Sequence, residues 1–291
     1  MIASLPRPPW LRVATWSYVA AFLIFLFLPL ATVAVFAFND ASYPAPPWRG
    51  FTLDWFVGAA DSERIGLFHD AELLGSIWTS VVVSAWVTAL SLAVGTANAF
   101  LMERYRFPGK QALSVLMLTP LVIPGVILGI SILSLSSRVA DFLDALFGLE
   151  LEFLRPGLPL VVLGQFSYVA TIATLIIGAR LKRFDRTLEE AALNLGASHP
   201  AVLRTITFPY LRPALIGAAA ISFLMSFENF NTTLMLVGAD PPLTVMMYGR
   251  MREGASPVLN AVSLFLMLAS AALALTLMAG GSRTRAGGAG K

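Results

Sequence analysis

The chain has no cysteine and only two histidines, His69 and His199. Disulfides, thiolate metal sites and cysteine nucleophiles are therefore excluded, and a histidine-rich metal centre cannot be assembled. His69 beside Asp70 and Glu72 is too sparse a ligand set to argue for a metal, and none is expected. Charge is scarce as well. Charged residues make up 13% of the 291 positions, against roughly 25% in soluble domains. Hydrophobic residues make up 57% and the mean hydropathy is +0.76. Such a chain cannot cover itself with a wet surface, so a bilayer must replace water over much of it. The net charge of +3 is too small to suggest a nucleic-acid partner. The phosphate-binding pattern GxxxxGK[ST] is absent, and Gly287-Gly288-Ala289-Gly290-Lys291 has the wrong spacing for it. No Ser/His/Asp order or catalytic carboxylate pair stands out. No catalytic residue and no cofactor are expected.

What the chain does have is long apolar runs. An all-α membrane protein is expected, with six transmembrane helices near 13–38, 76–101, 112–136, 158–180, 211–236 and 259–279. The first run follows Arg7 and Arg12 but is too long for a signal peptide, so it reads as a retained anchor. Residues 1–12 are then a short cytoplasmic segment, 13–280 the membrane domain, and 281–291 a disordered Gly- and Arg-rich tail. If both termini are cytoplasmic, 14 of the 20 Lys and Arg residues fall inside and 6 outside, as the positive-inside bias favours. Residues 39–75, 137–157 and 237–258 are then outer loops, and 181–210 is the long inner loop.

The inner loop has punctuation. Thr187 followed by Glu190 fits a capping box, with Glu189 and Glu190 at the positive end of the helix dipole. Leu188, Ala191, Ala192 and Leu195 recur on one helical face. Gly196 tolerates the left-handed geometry that ends a helix. Ser198 can cap a second short helix with Pro200 in its first turn. Pro209 is expected to stop that helix and Pro213 to start the next span. Two other readings compete: a DNA-binding helix-turn-helix, which would lack its third helix here, and a plain interfacial amphipathic loop.

Glu228 is the only carboxylate inside an expected span. An ionised group at mid-bilayer costs about 2.5–3.5 kcal/mol on insertion scales, so it should face protein or water. Asn229, Asn231, Thr232 and Thr233 follow it, and on one helix 228, 231, 232 and 235 would share a side. Glu228, Asn229, Asn231 and Thr232 are therefore candidates for a polar pathway wall. Alternatively, Glu228 is a wet helix end or pairs with an arginine such as Arg250. Gly125 and Gly129 form a GxxxG that reads as close helix packing, and Pro120 and Pro124 bend or interrupt that span.

Glu190-Ala191-Ala192, three residues, Gly196, nine residues, then Ile206-Thr207-Phe208-Pro209 resembles the EAA loop of ABC-importer membrane permeases. Phe208 stands where leucine is usual. Within that family the chain is most similar to spermidine/putrescine permeases, through Leu118–Gly125 with Gly129, Ser226–Phe230 and Gly254–Ala261. Those permeases commonly carry an acidic pair after Ser-Phe; here it is Glu228-Asn229. The resemblance implies two cytoplasmic ATP-binding subunits, a second permease copy or a different permease, and an extracytoplasmic solute-binding protein. It implies a multi-pass location in a prokaryotic inner membrane and a polyamine-like or related organic solute. It makes 181–210 a cytoplasmic coupling-helix hairpin between spans 4 and 5, contacted through Glu190, Ala191, Ala192, Gly196, Ile206, Phe208 and Pro209. The rival is a secondary transporter of a small polar solute, which would need charged coupling residues and inverted repeats that are not visible.

Overall fold

The computed structural model describes residues 9–60 and 64–286. Most of the expected 1–12 segment and residues 287–291 of the expected tail lie outside the described residues. Among the described residues the chain is helical, with one isolated antiparallel bridge between Asn39 and Phe51. Among the described residues, five helices are long and apolar enough to cross a membrane: Pro9–Phe36, Ala71–Arg104, Gly125–Phe147, Leu158–Leu181 and the continuous helical run His199–Phe227.

The chain divides into two compact units. The first contains Met1–Ala71 and Arg250–Leu273. Its α1 (Pro9–Phe36) has no buried residue. Thr15 and Thr32 return their hydroxyls to the carbonyls of Leu11 and Leu28 at 2.7 and 2.8 Å, which satisfies these two hydroxyls within the helix. The stretch expected as a plain outer loop is folded. It holds α2 (Asp54–Val57), whose buried Trp55 donates its indole N–H to the Asn39 carbonyl at 2.8 Å. Arg250, offered by the sequence as a partner for Glu228, makes a two-point ion pair with Asp70.

The second unit contains Glu72–Gly249 and Ala274–Lys291. α3 (Ala71–Arg104) presents Ser76, Ser80, Ser84, Ser91, Gly95 and Ala99 as a buried small-residue face. A Cβ on Gly95 would lie 2.8 Å from Ala173 Cβ, so only glycine allows α6 (Leu158–Leu181) to come this close. Between them run α4 (Lys110–Val122) and α5 (Gly125–Phe147). Lys110 donates its ammonium to the carbonyls of Met102 and Tyr105, serving acceptors that α3 leaves open at its end.

Three sequence expectations need correction. The span expected at 112–136 is broken: Pro124 has no N–H and pushes Ile123 to an extended conformation (φ −76°, ψ 129°). The membrane-length helix is α5, which runs into the expected outer loop as far as Phe147. The span expected at 211–236 is also broken, into α9 (Phe208–Phe227) and α10 (Asn231–Leu236). Finally, the outer loop 237–258 contains α11 (Leu243–Gly254), ahead of α12 (Val258–Ala286). α12 covers the expected 259–279, and its apolar stretch within the described residues, Val258–Ala272, is shorter than a full span.

Two cores hold the second unit together. One joins Ala99, Ala173, Ile177, Leu181, Phe184, Leu211 and Ala218. The other joins Val83, Val87, Leu160, Val161, Val169 and Leu236. The GxxxG reading holds. Cβ atoms on Gly125 and Gly129 would lie 3.0 Å from Asn231 Cβ and 2.9 Å from Met235 Cβ, so α5 seats α10 directly.

Candidate functional site

The inner loop folds as two short helices, α7 (Thr187–Asn194) and α8 (His199–Val202). The capping box is not formed. Asp185 takes both the Thr187 amide (3.0 Å) and its hydroxyl (2.8 Å), and Glu190 is left exposed. The bond from the Thr187 hydroxyl, then that from its amide, holds the Asp185 carboxyl below its ordinary value. At the other end Gly196 has φ +88°. The Ala197 amide reaches the Ala192 carbonyl at 3.0 Å, and the Gly196 amide reaches that of Leu193 at 2.9 Å. This is a Schellman end, and glycine avoids the Cβ penalty there. Ser198 stands at the start of α8 but makes no capping bond with its side chain.

Pro209 does not stop the second helix. A π-helical turn, Leu203–Thr207, follows α8 and passes directly into α9, with Pro213 inside it. The Phe208 amide bonds five residues back to Leu203. A widened turn moves the carbonyls away from the ring that an α-helical register would clash with, and Pro209 has no amide to satisfy.

The hairpin is anchored by residues that sequence reasoning missed. Arg104, at the end of α3, grips the Glu189 carboxylate with both Nη atoms, at 2.7 and 2.8 Å. The buried Thr207 donates its hydroxyl to the same carboxylate. Burial opposes ionisation of Glu189, but the bonds from Arg104 and Thr207 and the charges of Arg104 and Arg186 hold its pKa below the ordinary value. Arg186 donates to the Glu103 carbonyl at 2.7 Å. Arg180 lies over the Tyr210 ring at 4.2 Å.

The anchored hairpin turns an apolar face outward. Leu188 is 52% and Leu195 89% exposed, with Ala191 exposed between them and Ala192 half-buried. Glu190, Gly196, Phe208 and Pro209 are exposed, and Ile206 packs on the core.

The polar candidates separate into two groups. α9 ends at Phe227, so the shared helical face of 228, 231, 232 and 235 does not exist. Asn229 holds the break together. It donates to the Tyr168 hydroxyl (2.6 Å) and accepts the Thr233 amide (3.1 Å) and hydroxyl (2.9 Å), while its carbonyl accepts Thr244 (2.9 Å). Gln165 continues the network by donating to Thr233 at 2.8 Å and accepting Ser226. Thr232 is buried and donates to the Gly125 carbonyl at 3.3 Å. Glu228 and Asn231 are exposed. With Tyr168, Ile123 and Met225 they line an open cavity of about 420 Å3. The Glu228 carboxylate has no hydrogen bond or ion pair among the described residues. Both helix breaks, at Ile123-Pro124 and at 228–230, border this cavity. Irregular backbone in a membrane protein is tolerated at such a place.

Comparisons with known proteins agree with this architecture. The chain is 28% identical over 250 residues to the spermidine/putrescine transport system permease protein PotC of Haemophilus influenzae, covering 86% of this chain and 89% of that one. It is 26% identical over 245 residues to the putrescine transport system permease protein PotI of Escherichia coli strain K12, covering 84% and 82%. In fold it is similar to a chain of a bacterial alginate ABC transporter solved with an alginate pentasaccharide-bound periplasmic protein (TM-score 0.71, 19% identity, 92% of each chain). Residues 89–282, which include the hairpin and both helix breaks, match the family described as binding-protein-dependent transport system inner membrane component. The chain belongs to that family, the membrane-spanning permease subunits of ABC importers.

Proposed function

We propose that this permease spans the inner membrane six times with both termini in the cytoplasm. In this reading the 187–209 hairpin docks an ATP-binding subunit, and two such subunits serve a pair of permeases, either two copies of this chain or this chain with a different one. An extracytoplasmic binding protein delivers the solute to the outer loops. ATP-driven closure of the motor subunits pushes the hairpin and shifts the spans between inward- and outward-facing states, a bias on an existing equilibrium. The chain itself carries coupling and passage, with ATP hydrolysis on its partners.

The observation that carries this reading is the outward apolar face of a firmly anchored element. Leu188, Ala191 and Leu195 make a contiguous exposed apolar stripe on one side of the hairpin, the kind of patch that marks a partner surface. The solute assignment rests on the unpaired Glu228 carboxylate at the cavity, together with the polyamine permeases among the relatives. A carboxylate beside Asn231 suits an aliphatic amine or a related organic compound with polar ends.

Leu195→Glu tests the docking. The side chain is already exposed, so the change should shift the fold by no more than about 0.5 kcal/mol. Co-purification of the ATP-binding subunit should nevertheless fall at least about tenfold, because a charge would be buried against an apolar partner surface. Undiminished co-purification contradicts the docking assignment.

A further inference from the structure

The Glu189 carboxylate joins three elements at one point, beside the separate bond from Arg186 to the Glu103 carbonyl. It sits on α7, and Arg104 brings the end of α3 to it. Thr207 brings the π turn that opens α9. Arg104 and Glu189 keep only 14% and 16% side-chain exposure, so water screens their bond far less than it screens a surface pair. The guanidinium also lies 5.8 Å from the Phe100 ring and 5.4 Å from the Phe184 ring, which limits where it can go. A two-point arginine–carboxylate contact fixes orientation as well as distance.

The location of Thr207 gives this contact its consequence. The helical run from His199 to Phe227 contains 29 residues, about 43 Å at the α-helical rise. Its far end leads to Glu228 and the cavity. The one departure from α geometry in it is the π turn that ends at Thr207. A π turn holds one residue more than the α register needs. Absorbing that residue would turn one end of the rod against the other by about 100°.

We propose that Glu189, with Arg104 and Thr207, is a positioning clamp that holds the π turn in register and passes displacement of the hairpin jointly to α3 and α9. This rests on the coupling-hairpin reading. It assigns the force-bearing acid to Glu189, while Glu190 faces outward.

The absence of native cysteine allows a direct test. Asn231→Cys places a single thiol of this chain at the cavity. In the assembled importer in nanodiscs, its maleimide labelling rate is compared with and without ATP plus vanadate. In an otherwise native chain the rate should change on nucleotide trapping. With Glu189→Ala added, the ATP-binding subunit should still co-purify, while the nucleotide-dependent change shrinks at least about tenfold, as expected when a charge-assisted contact is lost. The exchanged pair Arg104→Glu with Glu189→Arg should restore much of it, which traces the loss to the ion pair and not to either side chain alone. A Glu189→Ala chain that assembles and keeps the full change overturns the clamp. If that variant does not assemble, Thr207→Val is read instead; a full change there, or failure to assemble there too, also overturns it. Failure of the clamp is separable from failure of the docking reading, because only the latter leaves Leu195→Glu with normal association.

Discussion

At residues 228 and 229 a carboxylate and an amide stand side by side with different duties. Asn229 satisfies four groups around a helix break, with Tyr168, both polar groups of Thr233, and Thr244 among its partners. Glu228 satisfies none and faces the cavity. Asn229→Ala should therefore destabilise the protein by about 1–3 kcal/mol, the cost of leaving buried partners unpaired, seen as a lower melting temperature in detergent. Glu228→Gln should leave melting unchanged and alter uptake rate or solute preference. If the two variants exchange these phenotypes, the division of roles is wrong. The sequence marks the pair as unusual, since polar residues stand out in an apolar run. It does not separate them, because the partners of Asn229 lie as far as 61 positions away.

At the scale of elements, legibility follows locality. The turn at Gly196 is readable because one residue type suits the backbone there, and the Gly125/Gly129 face is readable because its four-residue period is local. The Arg104–Glu189 pair spans 85 positions and carries no local pattern. The break after α9 has no proline or glycine to announce it. Its one signal is Asn229 ahead of Asn231-Thr232-Thr233, an amide able to cap a new helix, and the apolar surroundings hide it. Pro209 misleads for the opposite reason: the π turn ahead of it widens the register, so the ring meets no clash that would end the helix there. The α5–α10 contact offers a test at this scale. Gly129→Val would drive a side chain against Met235 Cβ, 2.9 Å from the added Cβ, and should cost about 1–3 kcal/mol. Gly217→Ala on α9 meets nothing within 4 Å and should be neutral or mildly stabilising in the same melt. Equal effects from both would contradict direct seating of α10 on α5.

At the scale of the whole molecule, a low-charge, cysteine-free chain folds into apolar helices, with a polar hairpin gripped by the end of α3 and by the π turn that opens α9. Family membership places it in the membrane half of an importer whose energy source is elsewhere. The all-helical class, the two short helices of the loop and the family are legible from composition and from the spacing around Glu190 and Gly196. The way the loop is tied to the helices is not, because it depends on side chains that meet only after folding. The central claim is that the hairpin's apolar face is a cytoplasmic seat for a motor subunit. Leu195→Cys in this cysteine-free chain tests it most directly, by thiol labelling and by a short bifunctional cross-linker in the assembled importer. The account predicts labelling only by reagent admitted to the cytoplasmic side, protection when the ATP-binding subunit is present, and a cross-link to that subunit. Labelling from the outer side, or equal labelling with and without the subunit and no cross-link, would contradict it.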